Sequence, residues 1–348
     1  DPNELHGDAP AARELVERGA ARIGQDVTAR PVAQADMMET IGRVYMSLGL
    51  TEQARPQLEG ALEMRMKLFD GDHPAKASNL AGLGEQGLAA GRLDAAQKHY
   101  EGALAMNRRL HGTQHRGVAA SLLNMGQVLK VKGDYTGAEK SLQESLEQYT
   151  ALEGQQSARV SLVLNELAQI MGQRGDLPAA EKFYRRALSV NRATLPKDHP
   201  QIAHLSHNLA VVLQSQNEME EAGPLFEASL AQLRKVLGEK HPDTIDALGN
   251  YGHYLLAAGD IAGAEAVFRR ALALNRDVRG KQHAYVGYDH SNLGRLLQGK
   301  GDHTAAEAEF RAALAIYKDA LPGNHVYVGS ALSGLAQSLN ALGRPAQA

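Results

Sequence analysis

Four asparagines, Asn124, Asn208, Asn250 and Asn292, share one register, separated by 84, 42 and 42 residues. Thr40, Gly82, Glu166 and Gly334 fill the same register elsewhere. Asparagine is a poor helix former because its side chain competes for backbone groups. Its recurrence inside helix-like stretches therefore calls for a use. A carboxamide presents a donor and an acceptor together, which matches the backbone of an extended peptide. The local alternative is a bond from each asparagine to a neighbouring helix or loop carbonyl. Further candidates at helical spacing are His207, Gln127, His253 and Arg295. A guanidinium at Arg295 suits an acidic side chain or a carboxyl terminus, with a solvated surface charge as the alternative. Arg43 and Lys130 add positive charge toward the amino-terminal half.

Other chemistry is poorly supported. There are 14 histidines and no cysteine, and His204 and His207 share a helix face. No HExxH or Glu-x-x-His pair accompanies them, and no metal or other cofactor is expected. Six histidines belong to the repeat itself and are expected to pack against the loops between units. Asp134, Asp176, Asp260 and Asp302 recur after a turn residue and fit helix N-caps or favourable dipole charges. No nucleophile is paired with a base, so this chain is read as non-enzymatic.

A period of 42 residues positions these side chains. His73, His115, His199, His241, His283 and His325 follow it, with Ser157 and Pro31 in two further places. An alanine column runs from Ala12 to Ala348 at the same step, through Ala54, Ala96, Ala138, Ala180, Ala222, Ala264 and Ala306. A third column holds Gly49, Gly91, Gly133, Gly175, Gly259, Gly301 and Gly343, with Asn217 in the remaining place. Glycine and asparagine tolerate the left-handed backbone that ends a helix, so this column marks a turn. Between His241 and Gly280, apolar spacing of 3–4 residues runs up to Gly259 and resumes after Asp260. Each unit is therefore an antiparallel helix pair. Gly42, Gly84, Gly126, Ala168, Ala210, Gly252, Gly294 and Ala336 lie midway along the first helices, small enough for the second helix to approach. Leu58, Tyr100, Leu142, Tyr184, Phe226, Phe268 and Phe310 are expected to fill the space between units.

Composition agrees with stacked helices. The net charge of -3 comes with no basic stripe, which argues against nucleic acid. No apolar run approaches the ~20 residues of a membrane span. The absence of cysteine leaves the compartment open.

The columns resemble the tetratricopeptide repeat: in one unit Leu80, Leu83, Gly84, Gly91, Ala96, Tyr100 and Ala103 carry the pattern. The 42-residue length with His-Pro starts is similar to kinesin light chain repeats. The resemblance implies an all-α, right-handed solenoid whose first helices line a concave groove, with the asparagine register facing a bound peptide. Residues 1–29 would supply a second helix alone, 30–324 seven repeats, and 325–348 a first helix alone, in a single array. Exposed ends would favour self-association, and a structural self-assembling scaffold is the competing reading. The opening residues 1–23, Thr40–Leu50 and His283–Leu297 are also similar to the tails of bacterial serine/threonine kinases. That likeness implies a docking or sensing region cut from a longer protein. It would lie outside the cytoplasm if an anchored kinase preceded it, and otherwise in the cytoplasm. None of the kinase motifs is present.

Overall fold

The computed structural model describes residues 30–344, and the half repeat expected over 1–29 lies outside them. Fifteen α-helices and no strand occur among the described residues. They are α1 (Pro31–Ser47), α2 (Thr51–Leu68), α3 (Pro74–Ala89), α4 (Leu93–His111), α5 (Arg116–Lys132), α6 (Tyr135–Glu153), α7 (Ala158–Gln173) and α8 (Leu177–Thr194) in a first compact unit. A second unit holds α9 (Pro200–Ser215), α10 (Met219–Leu237), α11 (Pro242–Ala257), α12 (Ile261–Val278), α13 (Ala284–Gly299), α14 (His303–Ala320) and α15 (Val326–Ala341). Odd-numbered helices are the first helices of the repeats. Within each unit, a helix packs most heavily on its repeat partner and next on the neighbouring repeat.

The periodic columns account for these elements. The alanines from Ala54 to Ala306 are completely buried. A side chain added at Gly126 would put its Cβ 2.4 Å from Leu142 Cγ, and one at Gly84 would meet the Tyr100 ring at 2.4 Å. The large column therefore closes directly on the small one. It also reaches the next repeat: Phe268 packs with Leu293 and Leu296. Gly126→Val is expected to lower the stability of the first unit by about 2–3 kcal/mol through overpacking. Gly126→Ala should cost less, because Ala168 and Ala210 already stand in that register. Urea midpoints of the two variants check the ranking.

The turn column adopts a left-handed backbone, and Asn217 (φ 65°) is the one non-glycine with positive φ among the described residues. Asp134, Asp260 and Asp302 cap α6, α12 and α14 by accepting the backbone N–H three residues on, at 2.9–3.0 Å. The repeat histidines do more than pack on the loops, as His73 does by stacking on Phe69 with ring centroids 3.6 Å apart. Nδ1 of His73, His115, His199, His241, His283 and His325 accepts the backbone N–H two residues on, at 3.0–3.2 Å. Ser157 does the same with its hydroxyl at 3.1 Å. These residues are N-caps, satisfying donors that the first turn leaves open.

The seam between repeats also carries polar pairs 14 residues apart. Arg65 Nη1 donates to Asn79 Oδ1 at 3.2 Å, Asn107 Nδ2 to Ser121 Oγ at 3.0 Å, and Asn275 Nδ2 to Asp289 Oδ2 at 2.6 Å. The same register is apolar at Tyr149 with Val163 and at Leu233 with Ala247, all four buried. Asn191 with Leu205 mixes the two kinds, and Asn191 Oδ1 is buried there without a hydrogen bond.

Candidate functional site

In the second unit, the predicted residues come from three first helices, α9, α11 and α13. Asn250 Nδ2 lies 2.8 Å from His207 Nε2, bridging α11 to α9. His207 is 9% exposed and edge-on to Phe226, with ring centroids 5.4 Å apart. Burial, with a smaller push from His204, lowers its pKa to about 4. His253 Nε2 lies 3.2 Å from the Tyr288 hydroxyl, bridging α11 to α13. Burial and the nearby Arg295 bring its pKa to about 4 as well. Both rings therefore stand neutral at physiological pH, serving as hydrogen-bonding groups.

Asn292 is 1% exposed. Its Oδ1 accepts from Arg295 Nη2 at 3.3 Å, while its Nδ2 is buried without a partner. Arg295 itself is exposed, with no ion pair among the described residues. Asn208 and Asn250 are half-buried on the same set of helices. An exposed guanidinium without an ion pair among the described residues is suited to an acceptor or anion.

The first unit differs in its electrostatics. Asn124 is half-buried, with no side-chain partner among the described residues. Gln127 Nε2 donates to Glu166 at 3.1 Å, and Lys130 Nζ pairs with the same carboxylate at 2.5 Å and with Gln169 at 2.6 Å. Arg43 pairs with Glu39 at 2.7 Å. The positive charge expected from Arg43 and Lys130 is thus cancelled locally. Glu166 occupies the asparagine register, and sequence reasoning did not foresee it as a counter-ion; its position 36 residues after Lys130 was the available signal. Tyr288 was also missed, since nothing in the linear pattern separates it from a packing tyrosine.

His204 and His207 do not converge: His204 meets Asp243 at 3.3 Å, whereas His207 is held by Asn250. Among the described residues, no three metal-binding side chains gather at one point. No helix among them is long and apolar enough to cross a membrane.

With this geometry in view, comparison with known families is decisive. A tetratricopeptide repeat family model matches residues 88–135, 120–193, 201–277 and 288–348, and a second matches 34–75. The chain belongs to the tetratricopeptide repeat family. Among solved structures, this repeat protein is similar to BtubC (BKLC) from P. vanneervenii, with 22% identity, 68% of this chain and 94% of that chain covered, and a TM-score of 0.55. It is also similar to a Podosopora anserina kinesin light chain protein with nearly identical TPR-like repeats, at 18% identity, 60% and 99% coverage and a TM-score of 0.53. A third neighbour is the APC/C hetero-tetramer Cut9-Hcn1, at 16% identity, 90% and 53% coverage and a TM-score of 0.59. At these identities the likeness concerns the fold. No curated protein matches the chain in sequence. The tetratricopeptide repeat is a protein-interaction scaffold and generally non-catalytic.

Proposed function

We propose that the first-helix face of the second unit holds an extended protein or peptide segment. Asn208 and Asn250 would contact its backbone, and Arg295 would meet an acidic side chain or terminal carboxylate, while Asn292, too buried to reach a ligand, would position Arg295. The observation that carries this reading is the exposed Arg295, which has no ion pair among the described residues and is held on the first-helix face by Asn292 Oδ1. In the first unit, Asn124 and Gln127 would play the corresponding part, without a free cation.

The test is selection from a random-peptide display library, repeated with Arg295→Glu and Asn208→Ala. Asn292 is left intact, because its burial means that replacing it would disturb packing. Selected peptides should carry an acidic group and lose about tenfold or more in affinity for Arg295→Glu, the size of one charge-assisted contact. Peptides that bind both variants as well as the parent would sink the groove reading. The scaffold reading is favoured by one feature, the exposure of Val326 (72%) and Leu332 (51%) on α15. A concentration-dependent dimer in light scattering, abolished by Val326→Asp with Leu332→Asp, would put that reading first.

The likeness of residues 1–23, Thr40–Leu50 and His283–Leu297 to bacterial kinase tails supports a finer role, docking or sensing for a signalling serine/threonine kinase. Under that role, the selected peptide sequence belongs to a substrate or regulator of the kinase.

A further inference from the structure

Near the end of several second helices, an ion pair ties the helix to the loop that opens its own repeat. Arg109 on α4 pairs with Asp72 at 2.6 Å, Lys235 on α10 with Asp198 at 2.7 Å, and Asp277 on α12 with Lys240 at 2.7 Å. On α6 the corresponding positions are Ala151 and Gln114, 42 residues after Arg109 and Asp72. The pair is missing there. In its place lies an open cleft of about 400 Å³, lined by Thr113, Gln114, Glu144, Glu147, Gln148 and Ala151 with Leu152 as an apolar wall.

Two features separate this cleft from a simple gap. Gln148 is only 9% exposed, and its Oε1 is buried with no hydrogen-bond partner, while its Nε2 makes a long 3.4 Å contact to Glu144. At the matching position on α10, the Gln232 amide nitrogen donates to the carbonyls of Lys197 and His199 at 3.2 and 3.0 Å. The acid count also rises locally. Glu147 is exposed with no ion pair among the described residues, and the residues in its register on α4 and α10 are Ala105 and Ala231. Glu144 is already paired with Arg108 at 2.8 Å. The repeat of α8 lacks the pair as well, with Ala193 and Gln156 at these positions, but it holds Ser189 and Val190 in the registers of Glu147 and Gln148, so the added carboxylate and the open carbonyl are what set α6 apart.

We propose that the cleft binds a guanidinium or ammonium group carried on an alkyl chain. The charged head lies between Glu147, Glu144 and Gln148 Oε1, which reaches it by a soft rotation of the terminal amide. The alkyl stem lies along Ala151 and Leu152. The site is on second helix α6, so it is separate from the first-helix face proposed for peptides. Its ligand is either a free alkylguanidine or amine, or an arginine or lysine side chain of a bound protein.

The test titrates the intact protein with N-acetyl-arginine amide, its neutral isostere N-acetyl-citrulline amide, and a short peptide with one central arginine, followed by NMR. Saturable binding of the arginine amide is expected, about tenfold weaker for the citrulline analogue and for Glu147→Gln. Gln148→Met should weaken it similarly and remain folded, since Met64 and Met106 stand in that register. Ala151→Lys should abolish binding by restoring an internal cation like Lys235. A peptide more than about tenfold tighter than the amide identifies a protein side chain as the source, and equal affinities identify a small molecule. Equal binding of the arginine and citrulline amides, no saturation, or binding untouched by all three variants would overturn the proposal.

Discussion

Arg65→Met is expected to cost the first unit about 3 kcal/mol or more, the usual penalty for stranding one partner of a buried ion pair. Arg65 is 3% exposed and sits on α2. It reaches Asp36 at 2.6 Å, bonds Glu39, and donates to Asn79 Oδ1 and the Ala75 carbonyl at 3.2 Å. Asn79 is fully buried and uses its Nδ2 on the Leu58 carbonyl. Loss of the guanidinium therefore opens acceptors on α1 and α3 at once. Burial pushes the Glu39 carboxyl up, but hydrogen bonds from Arg43 and Arg65 outweigh it and hold the group below its ordinary value. Its contribution is present above the unfolded carboxylate range and is lost as pH falls through the lowered value. Urea unfolding of Arg65→Met, Glu39→Gln and the double variant separates the cases. The double variant should recover part of the loss, because the buried Glu39 carboxylate, left with the largely exposed Arg43 alone in the single variant, is then gone. Full additivity of the two single losses would contradict this account.

Asp289→Asn is expected to stabilise the second unit above neutral pH and to flatten its pH dependence. Asp289 is 3% exposed on α13, with a single donor, Asn275 Nδ2 at 2.6 Å. Asn275 Oδ1 has no partner. A protonated carboxyl would satisfy both sides, giving one hydrogen bond to Asn275 Oδ1 and accepting the other. Burial raises the Asp289 pKa from 3.8 to about 7, opposed by Asn275, His290 and Arg279 and assisted by Asp246. His290 is itself held by Glu309 at 2.6 Å, and Arg279 by Asp246 at 3.0 Å. Since the folded value lies above the unfolded one, the stability is complete below about pH 4 and is lost as pH rises to about 7. The shift corresponds to roughly 2–4 kcal/mol across that window. Chemical unfolding at pH 5 and pH 8 should show the parent losing stability and the variant not. An unchanged pH slope in the variant would rule out Asp289 as the source. Asn107 with Ser121 shows that the same seam position accepts a neutral polar pair.

Neither of these groups was visible in the linear pattern. Arg65 and Asp289 interrupt columns that are otherwise mixed, and only the packing of α2 on α3, or of α12 on α13, reveals that each is sealed from water. The candidate peptide face was half legible. The asparagine register placed Asn208, Asn250 and Asn292 on successive first helices, as the spacing required. It could not say that Asn292 is nearly inaccessible, that Asn250 is engaged by His207, or that Glu166 cancels Lys130.

What the sequence by itself determined was the repeat. Period, helix boundaries, turns and the small-against-large packing columns depend on local backbone preference and on contacts a fixed number of residues apart, and those recur identically in every unit. The tertiary structure decided which polar groups are buried, paired or left open. That outcome depends on side chains from neighbouring repeats meeting across a seam, where the polar pair of Asn275 with Asp289 stands in the place that Leu233 and Ala247 fill one repeat earlier.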